Sequence, residues 1–333
     1  MSSAIDRAGL RDDYIACKDF MRRCGPVVYL MPRMLLPPDR RPYCDAVQAF
    51  TIHADRLIDD PHVPAADRVT RYQDYSRAVL TLLEGADPDP WGSAPASREE
   101  AVGRQLARAF AHFTRVWEVP CDSVRTLLEN MAGDAHASEY PAFTDLERYV
   151  RGTGVPYILW LNALLGPAAH NGEEAREQAA AAIFALQLTD NLSDLEEDLT
   201  AGRLCLPLED LKTFGLKCGD LERAVRERRT TEPVRELVRF EAERVRRYVE
   251  EAEGWWRAAD PVARELPRQY VRMTLHTLRK TVGSRYDLFA PRRTARLAWA
   301  SRMGAGFALG CTRASVRRFG TPRGRRRPRP APR

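Results

Sequence analysis

Along most of the chain, apolar residues recur at intervals of three and four, interrupted by proline and glycine rather than by alternating polarity. That spacing predicts helices over roughly 13–23, 41–60, 66–84, 97–117, 122–137, 144–166, 172–200, 206–213, 219–228, 232–258, 262–284 and 291–317. Breaks fall at Leu36-Pro37-Pro38, across the Pro/Gly/Asp-rich stretch 85–92, at Val119-Pro120 and at Gly166-Pro167. There is no sustained period-two run and no Asn-Gly hairpin signal, so β-structure is not expected. With no repeat and no interior shift in composition, the expected architecture is all-α. It is a single-domain, many-helix bundle over residues 1–316 with a central apolar cavity, followed by a disordered Arg/Pro-rich tail at 317–333.

Residues 179–188 (AAAAIFALQL) are apolar almost all round, which places that helix among other helices. Its continuation carries Asp190, Asp194 and Asp198 at i, i+4 and i+8, stacked on one stripe about 6 Å apart. The stripe prolongs the side that Ile183 occupies two turns earlier. A second ladder lies on the helix predicted at 41–60, where Gln48, Ile52, Asp55 and Asp59 share a face beside the packing stripe of Phe50, Ala54, Leu57 and Ile58. Acids four apart are usually no more than a solvated helix surface. Here two ladders on separate helices each abut a tightly apolar stripe. Facing carboxylates would repel strongly in a low-dielectric bundle unless a cation neutralised them. Hard oxygen ligands of this kind suit Mg²⁺, which keeps several waters and shares substrate phosphates. The implied site is a pair of aspartate ladders holding Mg²⁺ over a diphosphate, with an apolar tunnel below for a carbon chain.

Composition narrows the class without changing it. The 333 residues are 44% hydrophobic and 29% charged, as in a globular protein. The net charge of +6 is local: eight arginines lie within 317–333, and removing them leaves −2. A slightly acidic body argues against a nucleic-acid partner. The tail reads either as a solubilising extension or as a weak polybasic contact with an anionic membrane. Seven scattered cysteines with no CxxC pair, and an opening MSSAIDRAGLRDD without an apolar core, predict a cytoplasmic protein with free thiols. The apolar stretches fall well short of the roughly 20 residues a membrane span needs.

Five segments in order resemble the squalene/phytoene synthase family. They are LLPPDRR (35–41) leading into Asp55-Arg-Leu-Ile-Asp59; Glu129-Asn-Met-Ala-Gly-Asp134; Asp145 to Gly166; Gln187 to Asp198 with Gly202-Arg203-Leu-Cys-Leu-Pro207; and Ser284-Arg-Tyr-Asp-Leu-Phe-Ala-Pro-Arg292. The resemblance implies an isoprenoid-synthase-type bundle and a diphosphate-releasing prenyltransferase. It implies Asp55, Asp59, Asp190 and Asp194 as catalytic metal-side carboxylates with Asp198 as a further ligand, and Gln48, Ile52, Tyr157, Gln187 and Arg203 as substrate contacts.

The departures bear on the second substrate. Members that join two prenyl diphosphates carry polar and basic groups where this chain has Gly25-Pro26-Val27-Val28-Tyr29, Gln48 and Ile52, and an arginine where it has Ser193. A second diphosphate without counter-charges is costly to bury. The sequence therefore predicts one prenyl diphosphate donor, dimethylallyl diphosphate by preference. The acceptor is a small aromatic, as in the similar relatives that prenylate carbazole- or indole-like intermediates of bacterial secondary metabolism. The alternatives are a head-to-head phytoene- or squalene-type condensation of two prenyl diphosphates, and cyclisation of a single one. A carboxylate, the diphosphate or His53 could take the aromatic proton, with a core role favoured for His53. Tyr157 and Trp160 could face a cation, with core packing favoured for both.

Overall fold

Helices form where the three-and-four spacing predicts them, with informative exceptions. The computed structural model describes residues 3–24, 26–60, 62–87, 89–134, 139–283 and 285–289. In chain order its helices are α1 (Ser3–Arg7), α2 (Arg11–Cys24), α3 (Pro26–Leu35), α4 (Arg41–Asp59), α5 (Ala65–Glu84), α6 (Arg98–Val116), α7 (Cys121–Asp134), α8 (Phe143–Gly152) and α9 (Gly154–Ala163). There follow α10 (Pro167–Asn171), α11 (Glu173–Ser193), α12 (Leu195–Thr200), α13 (Leu208–Thr213), α14 (Cys218–Glu227), α15 (Glu232–Glu251) and α16 (Glu265–Val282), with a 3₁₀ turn over Ala252–Arg257. The helix expected at 291–317 and the tail at 317–333 lie outside the described residues.

Three expectations need correction. The predicted helix 144–166 is two, α8 and α9, because Gly152-Thr-Gly154 and Pro156 interrupt the hydrogen-bond ladder. The predicted helix 172–200 divides at Asp194, whose backbone leaves the helical region (φ −101°, ψ 8°). β-Structure is also present: β1 (Glu139–Tyr140) pairs in parallel with β2 (Leu204–Pro207). Proline hid another element, since α3 opens on Pro26 and contains Pro32, which the punctuation rule reads as loop.

α11 is the central member, packed against α9, α15, α16 and the 3₁₀ turn. Its buried Ala179, Ala181, Ala182 and Ala185 let those neighbours come close. A Cβ added at Gly154 would stand 3.0 Å from Ile183, so α9 and α11 meet almost backbone to side chain. Phe184 stacks on Tyr248 of α15 at 4.9 Å between ring centroids. A second group joins α2, α4 and α6, where Phe50 and Phe110 stack at 3.8 Å and Trp160 of α9 leans on both. These two cores fix α4 and α11, and so fix the ends that carry the aspartates. Among the described residues no helix is long and apolar enough to cross a membrane.

His53 illustrates how tightly the α4 side is packed. Its ring is 4% exposed, meets Phe20 and Tyr75 edge-on, and is pushed down to a pKa of about 4 by burial and then by Arg56. A Cβ at Gly103 would overlap that ring. Gly103→Ala is therefore expected to cost about 1–3 kcal/mol, because the ring cannot step aside without disturbing two aromatic neighbours. A chemical-denaturation midpoint equal to wild type would contradict this packing.

Candidate active site

The two ladders come together. Asp55 and Asp59 from the last turns of α4, and Asp190, Asp194 and Asp198 from α11 and α12, line one cavity of about 260 Å³. α4 delivers its pair because Phe50 and Ala54 are locked in the core one turn before them. On the other wall the backbone N–H of Asp194 donates to the Asp190 carbonyl at 2.8 Å, and that of Asp198 to the Asp194 carbonyl at 2.8 Å. The acidic stripe thus runs continuously through the change of direction at Asp194.

The third side of the cavity comes from the small sheet, which sequence patterning does not anticipate. Tyr140 of β1 and Leu204 and Cys205 of β2 line it, with Met131, Leu146 and Tyr149 from α7 and α8. Asn191 fastens β2 to α11 by donating Nδ2–H to the Cys205 carbonyl at 2.9 Å, and it accepts from Gln187 Nε2 at 3.1 Å. Gln187, also a lining residue, is thereby oriented from the ladder helix itself. Arg203 enters just before β2. Its backbone N–H donates to the Asp198 carbonyl at 2.8 Å, and its guanidinium lies 3.2 Å from the Asp198 carboxylate.

Electrostatics set the character of the cavity. Burial, then the charge of Asp59, pushes the Asp55 carboxyl up to about 6, against the pull of Arg203 and Arg56. The Asp55 side chain is open to solvent through the cavity mouth while protein surrounds it on most other sides, so burial and exposure coexist. Asp190 is pushed up to about 7 by burial and by Asp194, and Asp194 is raised by burial, Asp198 and Glu197. Burial disfavours the charge of Arg203, but the hydrogen bond to Asp198 and the fields of Asp198 and Asp59 outweigh it. Among the described lining residues, five are carboxylates and Arg203 is the one cation.

Three expected substrate contacts do not line this cavity. Gln48 and Ile52 lie earlier on α4, one to two turns before Asp55, and Ile52 packs against the core. Tyr157 sits on α9, hydrogen-bonded to the Gln48 side chain. Trp160 is a core residue whose indole donates to Ser123 at 3.0 Å. Ser193, where the resembled family carries arginine, shares a 2.7 Å hydroxyl–hydroxyl hydrogen bond with Thr281 of α16.

Among the described residues no three carboxylate, imidazole or thiol groups stand close enough to hold an ion by themselves. The donor set is all oxygen, however, and is spread over opposite walls. That arrangement fits a hydrated Mg²⁺ whose remaining ligands are waters and phosphate oxygens, and it does not fit a closed protein cage.

A model of the squalene/phytoene synthase family matches residues 22–301. The 15-cis-phytoene synthase of Synechocystis sp. is 27% identical over 271 residues, covering 79% of this chain and 74% of the relative. The bifunctional protein CrtB/UppS of Streptomyces coelicolor is 29% identical over 225 residues, covering 67% of this chain and 36% of the relative. Among solved structures, a dehydrosqualene synthase in complex with ligand superposes with a TM-score of 0.72 at 20% identity, covering 92% of this chain and 99% of the other. The squalene synthase HpnC from Alicyclobacillus acidocaldarius gives 0.67 at 20% identity, covering 82% and 94%.

Proposed function

The chain belongs to the squalene/phytoene synthase family, and on that premise we propose that its two aspartate ladders hold Mg²⁺ over a prenyl diphosphate whose prenyl group is transferred to an acceptor. The observation that carries this reading is the meeting of Asp55, Asp59, Asp190, Asp194 and Asp198 in one cavity with Arg203. Bound there, the metal would absorb the negative charge that develops as the C–O bond breaks and diphosphate leaves with the electron pair. The protein's own part is to aim carboxylates from two rigid helices at the headgroup, to place Arg203 beside it, and to offer the apolar surface of Met131, Leu146 and Tyr149 to the chain.

The acceptor has two readings, each with its own support. The names of the relatives, phytoene and squalene or dehydrosqualene synthases, favour a second prenyl diphosphate and head-to-head condensation. This is the alternative from the sequence, and nothing in the comparisons speaks for the aromatic acceptor. The charge of the cavity favours a neutral acceptor, because its one lining arginine is already paired with Asp198 and Ser193 is occupied by Thr281.

Incubation with Mg²⁺ and C5 to C20 prenyl diphosphates separates them. Release of diphosphate with a C30 or C40 hydrocarbon from one substrate alone establishes condensation. Release that depends on an added aromatic, with a prenylated aromatic as product, establishes the neutral acceptor. No release under either condition overturns the proposed function.

A further inference from the structure

The break between α11 and α12 has a back as well as a front. Asp194 lines the acidic cavity, whereas Leu192 and Leu195, buried on either side of it, line a separate void of about 70 Å³ together with Leu288 and Phe289. Those last two belong to a short segment, 285–289, that follows α16 and passes behind the break. Thr281, in the last turn of α16, holds the Ser193 hydroxyl at 2.7 Å, and the chain then turns at Gly283 (φ 61°).

The segment is pinned at several points. The Thr230 hydroxyl, between α14 and α15, donates to Asp287 Oδ1 at 2.5 Å, and the Phe289 N–H donates to the same oxygen at 3.0 Å. Arg246 of α15 donates to the Tyr286 hydroxyl at 3.1 Å. Arg228, which follows α14, stands 5.5 Å from the centre of the Phe289 ring and 3.3 Å from the Glu196 carboxylate of α12. Backbone strain gathers here too. Of the three non-glycine positions with positive φ among the described residues, two are Arg228 (49°) and Tyr286 (52°). Side chains disfavour that region, and it persists only where the surroundings over-determine it.

α12 cannot set its own direction. Its six residues make less than two turns, too few to be stable alone. The angle at Asp194 therefore follows from what Leu192 and Leu195 rest on. On that angle depends how Asp194 and Asp198 stand relative to Asp190 and to the α4 pair across the cavity. A shared, hydrated cation needs carboxylates of both walls within reach at once.

We propose that the segment Tyr286–Phe289, locked by the Thr230–Asp287 hydrogen bond, is a splint that fixes the angle between α11 and α12, which makes Asp287 a positioning residue for the Mg²⁺–diphosphate site. The assignment rests on the prenyl-transfer reading. Asp287 lies outside the cavity lining and acts only through Leu288 and Phe289. The exposed Glu196–Arg228 ion pair adds little to the splint.

The test titrates the full chain with Mg²⁺ in inorganic diphosphate, well below the melting midpoint of every variant. Asp287→Ala is expected to weaken binding about tenfold with helical circular dichroism unchanged, the lower end of the effect of removing a partner that orients metal ligands. Thr230→Val takes away the donor, leaves the segment itself intact, and is expected to lose about fivefold. The double variant is expected to bind no more weakly than Asp287→Ala, because both side chains act through one bond. Asp287→Asn keeps an oxygen that accepts both hydrogens and is expected to stay within about twofold of wild type. A bond that serves stability alone would lower the melting midpoint and leave the affinity untouched. Wild-type affinity in Asp287→Ala and Thr230→Val would therefore overturn the splint, as would an Asp287→Asn as weak as Asp287→Ala. If Asp287→Ala does not fold, Thr230→Val decides by itself. Wild type that binds no Mg²⁺ with diphosphate would overturn the proposed function and the splint with it, whereas normal wild-type binding with unaffected variants overturns the splint only.

Discussion

Asp55→Asn and Asp194→Asn are each expected to lower prenyl transfer by about 10²–10³-fold or more while leaving the thermal midpoint of the metal-free protein unchanged or raised. The two effects have one cause. Asp55 sits where burial and Asp59 disfavour its charge, and Asp194 where burial, Asp198 and Glu197 do the same. Replacing either by an isosteric amide removes a repulsion from the resting protein. In turnover the same change removes a negative oxygen ligand from a site whose task is to hold cations against a leaving diphosphate. A residue chosen only for stability would behave in the opposite way, since its loss would weaken the fold and spare the rate. Glu196→Gln is the matched control. It stands on the outer side of α12, exposed and paired with Arg228, and is expected to change turnover less than twofold. Turnover by Asp55→Asn within tenfold of wild type would remove these ladders from the chemistry.

Much of this arrangement is written in local spacing, and the rest is not for identifiable reasons. Two aspartate pairs four residues apart can be read from sequence because a helix repeats every 3.6 residues and Phe50, Ala54, Leu188 and Leu192 fix which face is inward. Arg203 is visible as a residue but not as a wall of the cavity. It gets there through the pairing of β1 with β2, two very short strands far apart in the chain, and neither leaves a period-two signature. The division at Asp194 has no glycine or proline to announce it, and the hydrogen bonds on either side persist. Motif positions point to Gln48 and Tyr157 as substrate contacts. In the structure neither lines the cavity; Tyr157 on α9 pairs with Gln48 on α4, a contact between two helices that spacing within either one does not show.

Magnesium together with inorganic diphosphate is expected to stabilise the protein strongly at pH 8 and weakly at pH 5.5. For a carboxyl the ordinary value is 3.8, and burial with like charges lifts Asp55 to about 6 and Asp190 to about 7. A carboxyl whose folded pKa is raised binds its proton more tightly folded than unfolded. Its contribution is therefore fully present below about pH 4 and is lost as pH rises through 6 to 7. The buried histidines work the other way: His53, lowered to about 4 chiefly by burial, adds stability as pH rises toward 6.5. The net curve without metal mixes these opposing trends, so the informative quantity is the difference made by Mg²⁺ at each pH. Metal must displace the protons that Asp55 and Asp190 hold, so its apparent affinity is expected to fall about tenfold per proton displaced for each pH unit below 6 to 7. Paired melting curves in inorganic diphosphate, with Mg²⁺ and with a chelator, taken from pH 5.5 to 8, measure the difference directly. A magnesium shift of several degrees at pH 8 that shrinks toward zero by pH 5.5, and that Asp190→Asn abolishes at pH 8, follows from carboxylates that are destabilising until a cation joins them. A shift of the same size at every pH would mean that the ion binds somewhere other than between these two helices.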